Sequence, residues 1–403
     1  MNTREQRPSI CVIGAGLTGL VCAWELARKG FAIQLVEQHS TAGGMLSSMR
    51  LGHEYIELLP HHIRKSDRNA LGLFKELGLL DEIEWYDSLW YGKVGRKKLG
   101  YATNGFHSLI SALTQEITDR GGMIHYGYTA VDITSLSSVK SETAATILDV
   151  PTLPAGDKSY PLGLPISNPI FSPSAATSTS SSPRFQISCV LADCTTLNLE
   201  ADSVMYSASC RNFAHISHDL NLPTDYRDAL MDVTYKANMC LMLLTKTQIN
   251  GCFSRPIPFS APFQRMIEHT NLVGEKRYGG HVVFLFGSFL TSHPLWTASD
   301  AEVFADFFKH LQLQNPSVRR SDILTWRLTR TRYSIPTSNS STSLLSPIPG
   351  LYVGSMAMIG NPEDDKTEYR MDGCIAIARQ LAKNIEQDFS VRREVNAPSD
   401  RIS

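Results

Sequence analysis

Six residues near the start of the chain, Gly14-Ala15-Gly16-Leu17-Thr18-Gly19, have the types and spacing that hold a pyrophosphate. Gly14 permits a tight turn. Gly16 removes a side chain where backbone must approach the phosphates, and Gly19 lets a helix pack closely on a strand. A helix opening here presents free N–H groups and the positive end of its dipole. Glu37 lies 18 residues beyond Gly19, where a carboxylate accepts hydrogen bonds from a ribose. An acid at that point favours an unphosphorylated ribose over a 2′-phosphorylated one.

These residues work only with a strand before them and a helix after. Ile10-Cys11-Val12-Ile13 is a buried-strand run, and Leu20 to Arg28 has helical apolar spacing ended by Gly30. Ala32 to Val36 reads as the second strand of a βαβ unit. Further on, the pattern predicts a helix over 66–83 capped by Ser66-Asp67, a helix over 105–120, and a strand from Met123 to Tyr128. Two strands follow at Phe185–Leu191 and Leu197–Tyr206, then apolar strands near 239–245 and 281–289, and an amphipathic helix over 299–313. Residues 137–183 are rich in Ser, Thr, Pro and Ala and read as a low-complexity insertion. The polar tail, from about 389, reads as mobile.

Other residues carry chemistry with less context. Arg327, Arg330 and Arg332 alternate partly along a strand and could clamp an acidic substrate; a solvated basic face is the alternative. His269 and Asn271 could line a pocket with Tyr278 and Tyr333 as walls, or all four could be core. Glu363 and Asp364 sit on the loop before the last helix. The eight cysteines show no zinc spacing, so no metal is expected and the thiols read as reduced.

The chain has 403 residues, enough for two intertwined domains. A net charge of −1 argues against a general nucleic-acid binder. The longest apolar runs are far short of the ~20 residues of a membrane helix, and the N-terminus has no signal-peptide core, so a cytoplasmic location is expected.

Thr41-Ala42-Gly43-Gly44-Met45 resembles the second glycine pair of the FAD-binding amine oxidase and protoporphyrinogen oxidase superfamily, with Met45 where that family often has Arg. Gly121 through Val131, Pro349 through Ser355 and Met371 through Arg379 resemble three further segments of its FAD site. Gly52 to Glu57, His61 to Asp67 and Leu77-Gly78-Leu79 are similar to a subgroup that also resembles UDP-galactopyranose mutase. In that subgroup a long helical segment precedes the helix that here begins near 105; in this chain Lys97 to Tyr101 runs almost straight into it.

The resemblance implies an α/β fold: a Rossmann-like, doubly wound FAD-binding domain with an inserted mixed α+β substrate domain. The FAD-binding domain would comprise 1–66, 100–136, 184–215 and 346–390, and the substrate domain 67–99 and 216–345, with a tail at 391–403. The implied FAD contacts are Gly14, Ala15, Gly16, Leu17, Thr18, Gly19, Glu37, Gly43, Gly44, Met45, Val131 (whose backbone would bracket the adenine), Gly354, Ser355, Met371 and Gly373. The family's usual acid is Ser355 here. His61 and His62 would pass beside the flavin ring, where an imidazole can position substrate, act as base or tune the flavin. Glu57 is a nearby acid, and all three are catalytic candidates; a structural histidine pair is the alternative.

The implied function is FAD-dependent oxidation or desaturation of a small organic substrate, with O2 or another electron acceptor. Three alternatives stand beside it: a non-redox flavoenzyme resembling UDP-galactopyranose mutase, a degenerate FAD-binding protein without turnover, and an NAD-only dehydrogenase.

Overall fold

The computed structural model describes residues 7–93, 95–136, 184–258, 260–337, 346–358 and 371–396. The insertion expected at 137–183, and Glu363 and Asp364, lie outside the described residues.

Ser9–Ile13 is a strand whose Ile10, Cys11 and Val12 are fully buried, as befits the middle of a parallel sheet covered on both faces. That sheet has five strands in the order Leu351–Val353, Ser203–Tyr206, Ser9–Ile13, Ala32–Glu37, Met123–Tyr126, all parallel. Side chains alternate between two cores. Ile10, Val12, Ile33 and Leu35 pack against the helices Leu17–Arg28, His107–Asp119 and Met371–Asn396. Cys11, Ile13, Val36, Val204 and Val353 face the other way. They meet a three-stranded antiparallel sheet of Thr129–Ser135, Phe185–Val190 and Thr196–Ala201, together with the helix Cys210–Ile216.

The stretch expected as one strand, Leu197–Tyr206, is two. Thr196–Ala201 belongs to the antiparallel sheet and Ser203–Tyr206 to the parallel one. Asp202 makes the change of sheet, its carboxylate accepting from the Ser9 N–H at 2.7 Å and the Ser9 hydroxyl at 2.9 Å. Both halves carry apolar residues, so periodicity sees no break.

Two helices also differ from expectation. The one expected over 66–83 is confined to Arg68–Glu76, and Gly78 turns the chain with φ +72°. It buries Ala70, Leu73 and Phe74 with the helical layer of the parallel sheet, not with the substrate domain assigned to 67–99. The closing helix runs on to Asn396, past the point where the tail was expected.

The second body is a five-stranded antiparallel sheet, ordered Ser254–Pro256, Arg265–Glu268, His281–Phe289, Tyr235–Thr245, Ile323–Pro336. One face carries Met239, Leu241, Leu243 and Leu285 and is covered by Phe304, Phe307 and Leu311 of the helix Asp300–Gln314, which opens on a Ser299/Glu302 capping box. The other face, through Cys240, Met242, Leu244 and Phe284, rests on Leu51, Ile56 and Leu59 around the hairpin Ser48–Leu51/Glu54–Glu57. A second hairpin, Ile83–Leu89/Arg96–Ala102, leads within four residues to the helix at His107, with no helical segment between them. Among the described residues no helix is long and apolar enough to cross a membrane.

Candidate functional site

The glycines of the first turn have separable tasks. Gly14 has φ +101°, and a Cβ there would lie 2.7 Å from Ser207 Oγ. A Cβ on Gly19 would lie 1.9 Å from the Gly14 carbonyl oxygen, so that glycine is required by packing alone. Gly16 is different. Its backbone is ordinary (φ −70°, ψ 173°), and a Cβ would meet only Gly44 Cα at 4.0 Å. Gly44 has φ +58°, and its Cβ would lie 3.0 Å from Gly16 Cα. The Gly43 N–H donates to the Ala15 carbonyl at 2.8 Å. The two glycine turns therefore face each other and leave bare backbone between them. The helix from Leu17 begins there with no side-chain cap and no acid in its first turn, which keeps its N-terminal dipole available for an anion.

Glu37 closes one end of this cradle. It is buried, with Oε2 accepting from the Ala15 N–H at 2.8 Å and Oε1 from the His39 N–H at 2.9 Å. His39 Nδ1 is 2.8 Å from the same Oε1. Each carboxylate oxygen has two lone pairs, so acceptor capacity remains for a ribose hydroxyl. The Tyr128 N–H donates to the Glu37 carbonyl at 3.0 Å, which brings the strand Thr129–Ser135 alongside. There Ala130 faces Cys189 and Asp132 faces Ser188, leaving Val131 as the extra residue of a β-bulge. A bulged residue is left out of the ladder, and Val131 is 36% exposed.

The C-terminal segments form the other end. A Cβ on Gly354 would press on Leu381 Cδ1 at 2.6 Å and approach Thr18 Cγ2 at 3.4 Å. Met371 and Cys374 share a buried cluster with Leu17 and Leu20, so the start of the closing helix, which carries Gly373, lies against the first turn of the Leu17–Arg28 helix. Ser355 is buried; its hydroxyl accepts from the Ala357 N–H at 3.3 Å and lies 3.4 Å from Tyr235 Oη. Tyr235 and Tyr333 pack edge to face at 5.4 Å, so the second body reaches this end of the site. Met45 turns to the same body: its sulfur accepts from Ser334 Oγ at 3.8 Å.

Sequence reasoning missed Asp372. Its carboxylate accepts from Asn69 Nδ2 at 2.9 Å and the Ala70 N–H at 3.0 Å, capping a helix 302 residues away. No local spacing could signal that.

The catalytic candidates divide. His61 Nδ1 lies 2.8 Å from the Leu59 carbonyl, so it carries the proton and leaves Nε2 as an acceptor. Burial lowers its pKa, keeping the ring neutral. The His62 ring meets Phe253 of the second body edge-on at 6.0 Å. Glu57 has a different task. It is 1% exposed and accepts from Tyr101 Oη at 2.7 Å and the Phe106 N–H at 2.6 Å, anchoring the start of the helix His107–Asp119. Burial pushes its pKa up to about 7, with those two hydrogen bonds opposing.

Tyr101 continues inward. Its hydroxyl is 3.5 Å from Tyr278 Oη, which is 3.3 Å from His269 Nε2. Burial, and then the charges of Arg277 and His62, push His269 down to about 3, so it is neutral. The tertiary fold thus joins Glu57, Tyr101, Tyr278 and His269 into one buried chain. Asn271 is elsewhere, donating to the carbonyls of Asn250 at 2.6 Å and Cys252 at 2.9 Å.

The arginine run does not converge. Arg330 is opposite Met239 on the helix-covered face, bonded to Asp300 and, at 2.8 Å, to the Ala298 carbonyl. Arg327 is opposite Met242 on the other face, and Arg332 is exposed beside the Tyr333 ring. Strand alternation separates Arg327 from Arg330, and Arg332 follows where the register shifts between Lys236 and Asn238. Thr329, opposite Cys240 on the face turned to the first body, is 2% exposed and its Oγ1 has no hydrogen-bond partner.

Residues 12–77 match the family model of the NAD(P)-binding Rossmann-like domain. No curated protein sequence matches the chain. Among solved structures, the chain is similar to an Exiguobacterium sp. protein provisionally assigned as a protoporphyrinogen oxidase, at TM-score 0.68 and 12% identity over 95% of this chain and 99% of that one. It is similar to cyclohexylamine oxidase from Brevibacterium oxydans, at TM-score 0.64 and 10% identity over 96% and 100%. It is similar to putrescine oxidase, at TM-score 0.63 and 11% identity over 95% and 99%. At these identities the likeness establishes the fold. The chain has the Rossmann-like α/β architecture of the protoporphyrinogen oxidase and amine oxidase type, as the sequence resemblance implied.

Proposed function

We propose that this protein is an FAD-dependent oxidoreductase, of oxidase or desaturase type, acting on a small organic substrate. The observation that carries this reading is the facing pair Gly16 and Gly44, where a Cβ on Gly44 would lie 3.0 Å from the opposite backbone. Gly14 and Gly19 are explained by packing; Gly16 is not, and an approaching ligand explains it.

The residues fit FAD along its length. Val131 backbone would bracket the adenine, and Glu37 would accept from the ribose. Gly16, Leu17, Thr18, Gly43 and Gly44 would line the pyrophosphate. Gly354, Ser355, Met371 and Gly373 would hold the far end. When bound, FAD would take a hydride or its equivalent from the substrate and pass the electrons to O2 or another acceptor. His61 would accept a substrate proton at Nε2, its orientation held by the Leu59 carbonyl. His62 would help shape the substrate side, where the two bodies meet at Phe253. Glu57 would keep the helix at His107 in place rather than touch substrate. The mutase-like reading needs a cationic clamp for a diphosphate, and the separation of Arg327, Arg330 and Arg332 speaks against it.

The test is the visible absorption of the purified protein before and after heat release of its chromophore. Oxidised-flavin bands, released as FAD, are expected. A colourless protein that takes up no added FAD overturns the proposal.

A further inference from the structure

The hairpin Ile83–Leu89/Arg96–Ala102 ends in a tip of unusual chemistry. From Leu89 to Lys98 the sequence holds four cations, Lys93, Arg96, Lys97 and Lys98, and no acid. All four are exposed. Between them the tip shows Leu89 at 47% and Tyr91 at 59% exposure. Trp90 lies beside them, half-buried, with Lys97 Nζ 5.1 Å from its ring.

The tip is held in place. The Tyr91 N–H donates to the Ser254 carbonyl at 3.0 Å, and the Phe253 N–H to the Leu89 carbonyl at 2.8 Å. This edge pairing adds Arg255, whose guanidinium lies 5.2 Å from the Tyr91 ring. A shallow cavity of about 440 Å³ opens there, with Trp90, Tyr91, Lys93, Asn250 and Arg255 among its walls. Among the described residues, Asp87, opposite Lys98 at 4.0 Å, is the one acid paired with these cations, so in a chain of net charge −1 the tip keeps a local positive excess.

We propose that this hairpin tip docks the protein on an anionic lipid surface, with the cavity taking a phosphate-bearing headgroup between Lys93 and Arg255. The mixture of groups selects a bilayer over a soluble polyanion. Exposed Leu and Tyr gain nothing in a purely ionic contact, whereas at a bilayer they enter the headgroup level while lysine stems lie along the interface. With no membrane-crossing helix among the described residues, the attachment is peripheral and reversible. It is independent of the flavin reading.

Each cation near an anionic surface strengthens partitioning by about fivefold. Full-length protein is therefore expected to sediment with phosphatidylcholine vesicles containing phosphatidylserine, and not with phosphatidylcholine alone. Raising salt from about 0.1 M to about 0.5 M should release it. The combined variant Lys93→Glu, Arg96→Glu, Lys97→Glu and Lys98→Glu should lose at least about 100-fold in partitioning. Tyr91→Ser should weaken binding severalfold and leave its salt dependence in place. All five side chains are exposed, so circular dichroism and melting should be unchanged. Equal binding with and without phosphatidylserine overturns the proposal, as does undiminished binding of the charge-reversed variant. Retention on heparin without vesicle binding would also overturn it and make a soluble polyanion the partner.

Discussion

Gly16 and Gly44 meet backbone to backbone across the two glycine turns: a Cβ on Gly44 would lie 3.0 Å from Gly16 Cα, whereas one on Gly16 would find only Gly44 Cα at 4.0 Å. The pair separates ligand binding from folding. Gly16→Ala places a methyl group in ordinary contact and should leave stability within about 0.5 kcal/mol of wild type. On the proposed reading the same methyl group would take the space of the pyrophosphate, so FAD affinity should fall at least about 100-fold, the equivalent of about 3 kcal/mol of overpacking. Gly19→Ala meets the Gly14 carbonyl at 1.9 Å and should cost more than about 3 kcal/mol of stability. Denaturant melts and flavin titration of the two variants check both halves; equal effects on both would contradict the assignment.

Glu57 sets a pH dependence of stability. Burial raises its pKa from 4.5 to about 7 in the folded protein, so the native state holds this proton more tightly than the unfolded chain. Its stabilising contribution is full below the unfolded value and is lost as pH rises through the folded one. Glu57→Gln keeps an acceptor for the Phe106 N–H and removes the titration. The stability of wild type relative to this variant should therefore fall across that window, by at most about 3 kcal/mol. Glu268, also raised to about 7 by burial, is common to both proteins and drops out of the difference. Parallel urea melts of the two proteins along a pH series measure it, and a flat difference would show that Glu57 ionises freely.

Under the proposed function, His61 would move a substrate proton rather than hold FAD. His61→Asn should leave the flavin spectrum intact and slow anaerobic bleaching by a competent substrate about 10²- to 10⁴-fold. In the wild type the acid limb of the bleaching rate should lie below the ordinary histidine value of 6.5, because burial favours the neutral ring. Unchanged bleaching in the variant would return His61 to a structural role.

Cys194 is the single exposed cysteine of eight free thiols, and it alone among the described non-glycine residues has a positive φ, at 67°. A thiol reagent should titrate one group in the native protein and eight after denaturation. Cys194→Gly relieves the left-handed backbone and should raise stability by about 0.5–1 kcal/mol, read from the urea midpoint.

The sequence alone determined the parts of the site that are local. Gly14 to Gly19 and Glu37 sit in one βαβ unit, where turn, helix start and strand end follow from spacing, and the structure has each where that spacing put it. The strands at 281–289 and the helix near 299–313 were legible for the same reason: periodicity is a property of contiguous residues. Tertiary structure decided what depends on distant partners. It turned Glu57 from a candidate acid into the anchor of Phe106, joined Tyr101, Tyr278 and His269, and let Asp372 cap a helix 302 residues away. It also split the stretch at Asp202 between two sheets and sent Arg327 and Arg330 to opposite faces. Burial and hydrogen-bond partners decide those roles, and both arise only when segments far apart in the chain are brought together.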